Sequence, residues 1–357
     1  MICLIFSPEH HETMSTTFFK HPEPPHKKTR IWPVFMPFMG CPTKCIYCSQ
    51  DRQTGTGAKT LSEIYQDIEH EIPTFFAQGN RKPLELAFFG GTFTALPFEW
   101  QQRFILLAAK FKQKGFLTKV RCSTRPDCIE SDQILKLRES GLDMIELGIQ
   151  SFSAEVLRRS ARNYSPETAI NACRTIRESG LSLGIQLLPG LPGTKRGDFQ
   201  RDISQTIGLK PDAVRIYPCL TVKGTGLEKL YLAGKYTPWS LSRTEEELAP
   251  ALLRLWQHKI HVIRIGVAHE EGFEDNIVAG PVHPALGQKI RSKALYLFLS
   301  SQLAMHGSEP KQLVVPQQYS GELWGHKGNL KPIYAKLGIT PDNTKFLVCN
   351  LFEIVLK

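Results

Sequence analysis

The chain has 357 residues, 41% of them hydrophobic and 22% charged, an ordinary globular balance that leaves room for one large α/β domain with an appendage. No apolar run reaches the roughly 20 residues that a membrane span needs, and nine cysteines, odd in number and unevenly spread, do not make a secreted disulfide framework. A cytoplasmic protein with reduced thiols and no membrane partner is the expectation, and a formal net charge of +10 suits a polyanion such as RNA.

In chain order, residues 1–30 end in HPEPPHKKTR and read as an N-terminal tail, so the fold is expected to begin near Ile31. From there β-type apolar runs alternate with amphipathic helical segments, with strands expected at 31–36, 84–89, 117–123, 144–149, 181–187 and 213–217. Thr60 and Glu63 form a capping box, Ser165-Pro166-Glu167 starts a helix, and Gly141 and Gly180 stand where helices should stop. ESGLDMIELGIQ from Glu139 and ESGLSLGIQLLPG from Glu178 echo one another as helix end, glycine and strand. Six strands separated by helices argue a parallel sheet, either open and doubly wound or curled into a full or partial barrel. In both folds ligands gather at the carboxyl ends of the strands. Cys41, Cys45 and Cys48 follow the first strand, Gly90-Gly91-Thr92 the second, Ser123-Thr124-Arg125 the third and Gln150-Ser151 the fourth.

The stretch GCPTKCIYCSQ, from Gly40 to Gln50, carries those three cysteines within eight residues. A structural zinc site is closed by four ligands, and no second Cys-x-x-Cys or His-x3-His appears downstream. Cys122 and Cys128 are the nearest candidates for a fourth ligand, and Cys122 falls in an expected strand. Thiolates closely spaced on one loop suit an iron–sulfur cluster, and three of them on a four-iron cluster leave one iron open to an exogenous ligand.

C-x3-C-x2-C with Tyr47 before the last cysteine, followed after the next strand by Gly-Gly-Thr, resembles the radical S-adenosylmethionine (radical SAM) superfamily. The resemblance implies a partial (β/α)6-type TIM barrel of the radical SAM kind, a 4Fe-4S cluster on Cys41, Cys45 and Cys48, and S-adenosylmethionine on the open iron. It implies reductive cleavage to a 5′-deoxyadenosyl radical and a reductant protein such as ferredoxin or flavodoxin. Cofactor contacts are implied at Tyr47, whose ring would lie beside the adenine, and at Gly90, Gly91 and Thr92, where missing side chains would let backbone approach the cofactor. Ser123, Gln150, Arg162 and Gln186 match ribose and carboxylate contacts by position. The bland readings are a loop-packing tyrosine, an ordinary tight turn and, for Arg162 near Arg158 and Arg159, a solvated helix face.

STRPDCI from Ser123, IELGIQS from Ile145, LLPGLPGT from Leu187, YPCLTVKGTGLEKLYLAGKY from Tyr217 and NIVAGPVHPALG from Asn276 are similar to the radical SAM region of the Elongator catalytic subunit and its short bacterial relatives. Oxygen-independent coproporphyrinogen oxidase is a more distant likeness. Ser123 stands where the related enzymes commonly have Glu, Gln186 where the oxidases have Asp, and Phe35 where they have Tyr. Only 54 residues follow Leu303, whereas an acetyltransferase domain needs on the order of 150, so that domain is expected to be absent. The expected divisions are a tail over 1–30, a radical SAM barrel over 31–265 and a small C-terminal accessory element over 266–357. Tyr217 and Lys223, after the sixth strand, could face the substrate. GELWGHKGNLKPIYAKLGI offers Trp324, His326 and Lys327 as RNA contacts, against the plainer reading of a packed tail. The implied function is tRNA modification, with a small metabolite or tetrapyrrole as the alternative substrate and a noncatalytic iron–sulfur module as the alternative class.

Overall fold

The structure is a computed structural model and describes residues 15–26, 29–50, 52, 59–267, 272–306 and 309–356. These form two compact units, one from Pro24 to Leu286 and one that joins the segment ending at Glu23 to the chain from Gly287 onward. The units therefore divide at 286/287, beyond the expected 265/266 division. Among the described residues no helix is long and apolar enough to cross a membrane.

In chain order β1 (Thr16–Phe19) belongs to the smaller unit and β2 (Arg30–Met36) opens the larger one. After it come β3 (Leu84–Gly90), β4 (Leu117–Thr124), β5 (Met144–Gln150), β6 (Ser182–Leu187), β7 (Ala213–Ile216), a short β8 (Thr221–Val222) and β9 (His261–Ile265). Seven of these, in the order β2-β3-β4-β5-β6-β7-β9, form one parallel sheet that curls into a partial TIM barrel. All six strands expected from sequence are present. The seventh, β9, follows the helix Leu241–Gln257 and pairs beyond β7; five residues without a continuous apolar run gave no strand signal of their own.

Helices cover the outer face of the sheet, so β3 can be apolar on both faces: Leu86, Ala87 and Phe88 are all buried. Local chemistry sets the helix ends as expected. The Thr60 hydroxyl accepts from the Glu63 N–H at 3.2 Å while the Glu63 carboxylate accepts from the Thr60 N–H at 2.7 Å, opening the helix Leu61–Ala77. Ser165 caps Pro166–Glu178 by accepting from the Thr168 N–H. Gly141 ends Ser131–Ser140 at φ 117°, a left-handed conformation that glycine adopts at little cost. A two-stranded antiparallel ribbon, β8 with β10 (Ile277–Ala279), completes this unit.

The smaller unit holds β11 (Pro310–Pro316), β12 (Thr344–Leu347) and β13 (Phe352–Leu356), in a sheet of order β1-β13-β11-β12. Part of the stretch read as a tail is thus a strand: β1 pairs antiparallel with β13, and Phe19 stacks on Phe352 with ring centroids 5.5 Å apart. Trp324 is half-buried, edge-on to Tyr334 at 5.7 Å, which makes it a packing residue of this unit, whereas Lys327 is exposed.

Candidate active site

All three cysteines lie on the loop leaving β2, and all three line one cavity of about 440 Å³ at the carboxyl ends of the strands. Cys122 and Cys128 are not among its lining residues. Backbone bonds weld the loop to the end of β3: the Gly91 N–H donates to Met36 O at 2.8 Å and the Thr92 N–H to Met39 O at 2.7 Å. This contact is what the two glycines are for. A Cβ on Gly91 would come 2.0 Å from Met39 O, and one on Gly90 would come 3.2 Å from the Met36 backbone. Both glycines line the cavity, but the space they vacate is filled by the cysteine loop. Gln50 ties the far end of the loop, accepting from the Phe38 N–H and donating to Gly90 O at 3.2 Å.

Burial raises the proton affinity of Cys41 and Cys48. It pushes Cys48 up to about 12, helped by repulsion from Cys45 and Cys41, and raises Cys41 despite the Thr92 hydroxyl 3.3 Å from its sulfur. Two buried cations converge on Cys45, with Arg162 Nη1 3.4 Å and Arg125 Nη1 3.8 Å from its Sγ. Three thiols lining one cavity, with two guanidinium groups beside Cys45, form a cationic pocket that favours a polynuclear, thiolate-bound anion. The donor set and the cavity therefore fit a cysteine-bound iron–sulfur cluster.

Arg162 is neither a solvated residue nor an idle one. Its Nε donates to Tyr164 Oη at 2.7 Å, Nη1 to Tyr47 Oη at 3.0 Å as well as to Cys45, and Nη2 to Gly148 O. Most of its donors are thus engaged within the protein, bracing the cysteine loop against β5. Tyr47 lines the cavity with its hydroxyl held by that contact and its ring packed against a cluster containing Val156, Leu191 and Leu227. Ser123, Gln150 and Gln186 also line the cavity. Gln150 sits at φ 70°, uncommon for a residue with a side chain, and its Oε1 accepts from Gln186 Nε2 at 3.3 Å.

Asp202 holds the chain just after that strained residue: its carboxylate accepts from the Phe152 N–H and the Ser151 hydroxyl, each at 2.8 Å. Burial nevertheless pushes its carboxyl up to about 7 from 3.8, outweighing those two hydrogen bonds. The folded protein therefore keeps a proton that the unfolded chain gives up, so stability should fall as pH rises from about 4 to about 7 and level off above that. Asp202→Asn should flatten that segment, removing a pH-dependent difference of at most roughly 4 kcal/mol. Urea unfolding across this range checks it; parallel wild-type and variant profiles would refute it.

The inner wall carries a buried ionic network. On β5, Glu146 pairs through Oε1 with Arg121 Nη1 at 3.1 Å and through Oε2 with Arg215 Nε at 2.5 Å. Arg215 lies on β7, so the Glu146 side chain must cross β6, and it does so over Gly184, where an added Cβ would meet Glu146 Cγ at 2.7 Å. Glu146, Arg215, Tyr217 and Arg264 all line the cavity; Lys223 is exposed and does not. Gln50, Glu146, Arg215 and Gly184 are functional or supporting residues to which motif reading gave no part in the site, and Arg125 was placed at a strand end without a role. A signal was present for two of them, since a charge inside a buried strand, as in MIELGIQ and AVRI, needs a partner.

Two family models match the chain: that of the radical SAM superfamily over residues 35–205 and that of the radical SAM C-terminal domain over residues 211–295. Among curated proteins the chain is 32% identical over 185 residues to a tRNA uridine(34) acetyltransferase of Methanocaldococcus infernus, covering 46% of this chain and 34% of that one. It is 29% identical over 263 residues to Elongator complex protein 3 of Mus musculus, covering 62% of this chain and 47% of the relative. The chain thus spans about a third to a half of the length of these relatives. A solved archaeal Elp3 from Methanocaldococcus infernus with an N-terminal deletion superposes with a TM-score of 0.59 at 22% identity, covering 77% of this chain and 64% of that one. That likeness supports the fold.

Proposed function

The chain belongs to the radical SAM superfamily, whose members are enzymes that use a 4Fe-4S cluster and S-adenosylmethionine, and on that premise we propose that it cleaves S-adenosylmethionine reductively and modifies a base of tRNA. Three thiols converging on one cavity carry the first half of this reading. Cys41, Cys45 and Cys48 would hold the cluster, which when bound supplies the electron that releases a 5′-deoxyadenosyl radical for hydrogen abstraction from the substrate. The protein's own residues do the rest. Arg125 and Arg162 offset negative charge at Cys45, while Thr92 orients Cys41. The amides of Gln150 and Gln186, with the Ser123 hydroxyl, offer hydrogen bonds to a ribose, and Tyr47 gives the adenine an aromatic neighbour. A cytoplasmic ferredoxin or flavodoxin would be the reductant.

The tRNA half rests on the relatives' names and the formal charge of +10. The test uses protein reconstituted anaerobically with iron and sulfide, reduced with dithionite and given S-adenosylmethionine, with 5′-deoxyadenosine quantified with and without bulk tRNA. Retention of tRNA at low salt, falling steeply as salt rises, and a tRNA-dependent rise in 5′-deoxyadenosine are expected. Radical product without any tRNA retention would overturn the RNA assignment and leave the chemistry intact.

A further inference from the structure

The inner wall of the cavity holds more cationic capacity than its own ion pairs use. Arg215 is nine-tenths buried, gives Nε to Glu146 and donates from Nη1 to the Tyr217 hydroxyl at 2.9 Å, and its Nη2 has no hydrogen-bond partner among the described residues. Arg264 stands opposite Arg215 in the pairing of β7 with β9 and lines the same cavity, where it is exposed. The Phe89 ring lies below, 5.1 Å from the Arg215 guanidinium carbon. A buried guanidinium aimed by a carboxylate that reaches it over a glycine is a fixed element, since Gly184 leaves no freedom for any larger residue. Its position is set before any ligand arrives.

We infer that Arg215 and Arg264, with the Tyr217 hydroxyl, form an anion subsite on the inner wall of the cavity, which binds a phosphate or carboxylate group carried by the substrate. The inference rests on the cavity being the substrate chamber of the proposed enzyme. The unpartnered Nη2 of the Arg215 guanidinium can donate to either oxyanion, and Arg264 adds a second positive charge beside it. Glu146 does not cancel the site. Its two oxygens are engaged by Arg121 and Arg215, and the group of Arg121, Arg215 and Arg264 against Glu146 and Glu85, which lies 3.7 Å from Arg121, retains one net positive charge. The subsite lies on strands β7 and β9, apart from the cysteine loop, and so would fix the orientation of the substrate relative to the radical source.

The test is equilibrium binding to the reconstituted, S-adenosylmethionine-loaded holoenzyme at constant ionic strength, with uridine 5′-monophosphate, uridine and succinate as probes. Saturable binding of the monophosphate at least about tenfold tighter than uridine supports the subsite and names a phosphate; tight succinate binding supports it and names a carboxylate. Either should weaken about tenfold in Arg264→Gln, an exposed position where folding is not at risk, and in the double variant Glu146→Gln/Arg215→Met, which removes Arg215 and its carboxylate together while leaving an amide oxygen for Arg121 to donate to. Equal binding of uridine and its monophosphate together with no saturable succinate binding overturns the inference, as does anion binding unchanged in both variants. Failure of the radical chemistry reads differently: wild-type protein would bind the anion yet release no 5′-deoxyadenosine.

Discussion

Replacing Cys45 with alanine is expected to abolish cluster retention and to lower 5′-deoxyadenosine formation by at least about a hundredfold, since a rate effect of that size follows from roughly 2.7 kcal/mol of lost stabilisation and removal of a cluster ligand costs far more. The fold should survive. The change exchanges one small side chain for another and leaves guanidinium N–H groups of Arg125 and Arg162 without their sulfur acceptor, a cost of about 1–3 kcal/mol. Cys122 supplies the control: it is more deeply buried than Cys45, lies on β4 and does not line the cavity. Cys122→Ala should therefore keep its iron and sulfide and its activity. Equal loss of iron in both variants would show that general damage, rather than ligation, explains the first result.

Gly91→Ala is expected to be the most damaging single methyl added to the larger unit. The new Cβ would meet Met39 O at 2.0 Å, with Met36 O and Met39 N both at 2.8 Å, and all three are backbone atoms that no rotamer change can move. Relieving the clash means pulling the cysteine loop away from β3 and losing the bonds from the Gly91 and Thr92 N–H groups. The cost is put at roughly 3–5 kcal/mol, above the usual overpacking penalty because two backbone hydrogen bonds are lost with it, together with poor cluster loading. Gly208→Ala serves as the comparison, because it lies in the helix Asp198–Leu209 with nothing within 4 Å of an added Cβ. It should stabilise by about 0.5–1 kcal/mol. Chemical denaturation and iron content measure both; a Gly91→Ala protein that unfolds and loads like the wild type would show that the loop does not depend on this contact.

The sequence made the barrel legible because its strands are near-continuous apolar runs and its helices carry strong end signals, such as Thr60 with Glu63 and the glycines 141 and 180. β9 escaped notice because a short edge strand needs little hydrophobic pattern, and β1 because its partner, β13, lies more than 300 residues away. The cysteines and Gly-Gly-Thr were legible as a site because a local spacing encodes them. The roles of Arg125, Glu146 and Arg215 were not, since what they do depends on which strands adjoin, and adjacency is a property of the fold. Arg162 was found by position, and its hydrogen bonds to Tyr47, Tyr164, Gly148 and Cys45 could be read only from the packed structure.

The most direct measurement is the Mössbauer spectrum of protein reconstituted with isotopically enriched iron, recorded before and after S-adenosylmethionine is added. Three cysteine ligands on a 4Fe-4S cluster predict that about one quarter of the iron signal shifts on addition, as the open iron gains its ligand. A spectrum unchanged by S-adenosylmethionine, from protein shown to hold a full cluster, would contradict an open iron beside Cys41, Cys45 and Cys48 and with it the radical chemistry.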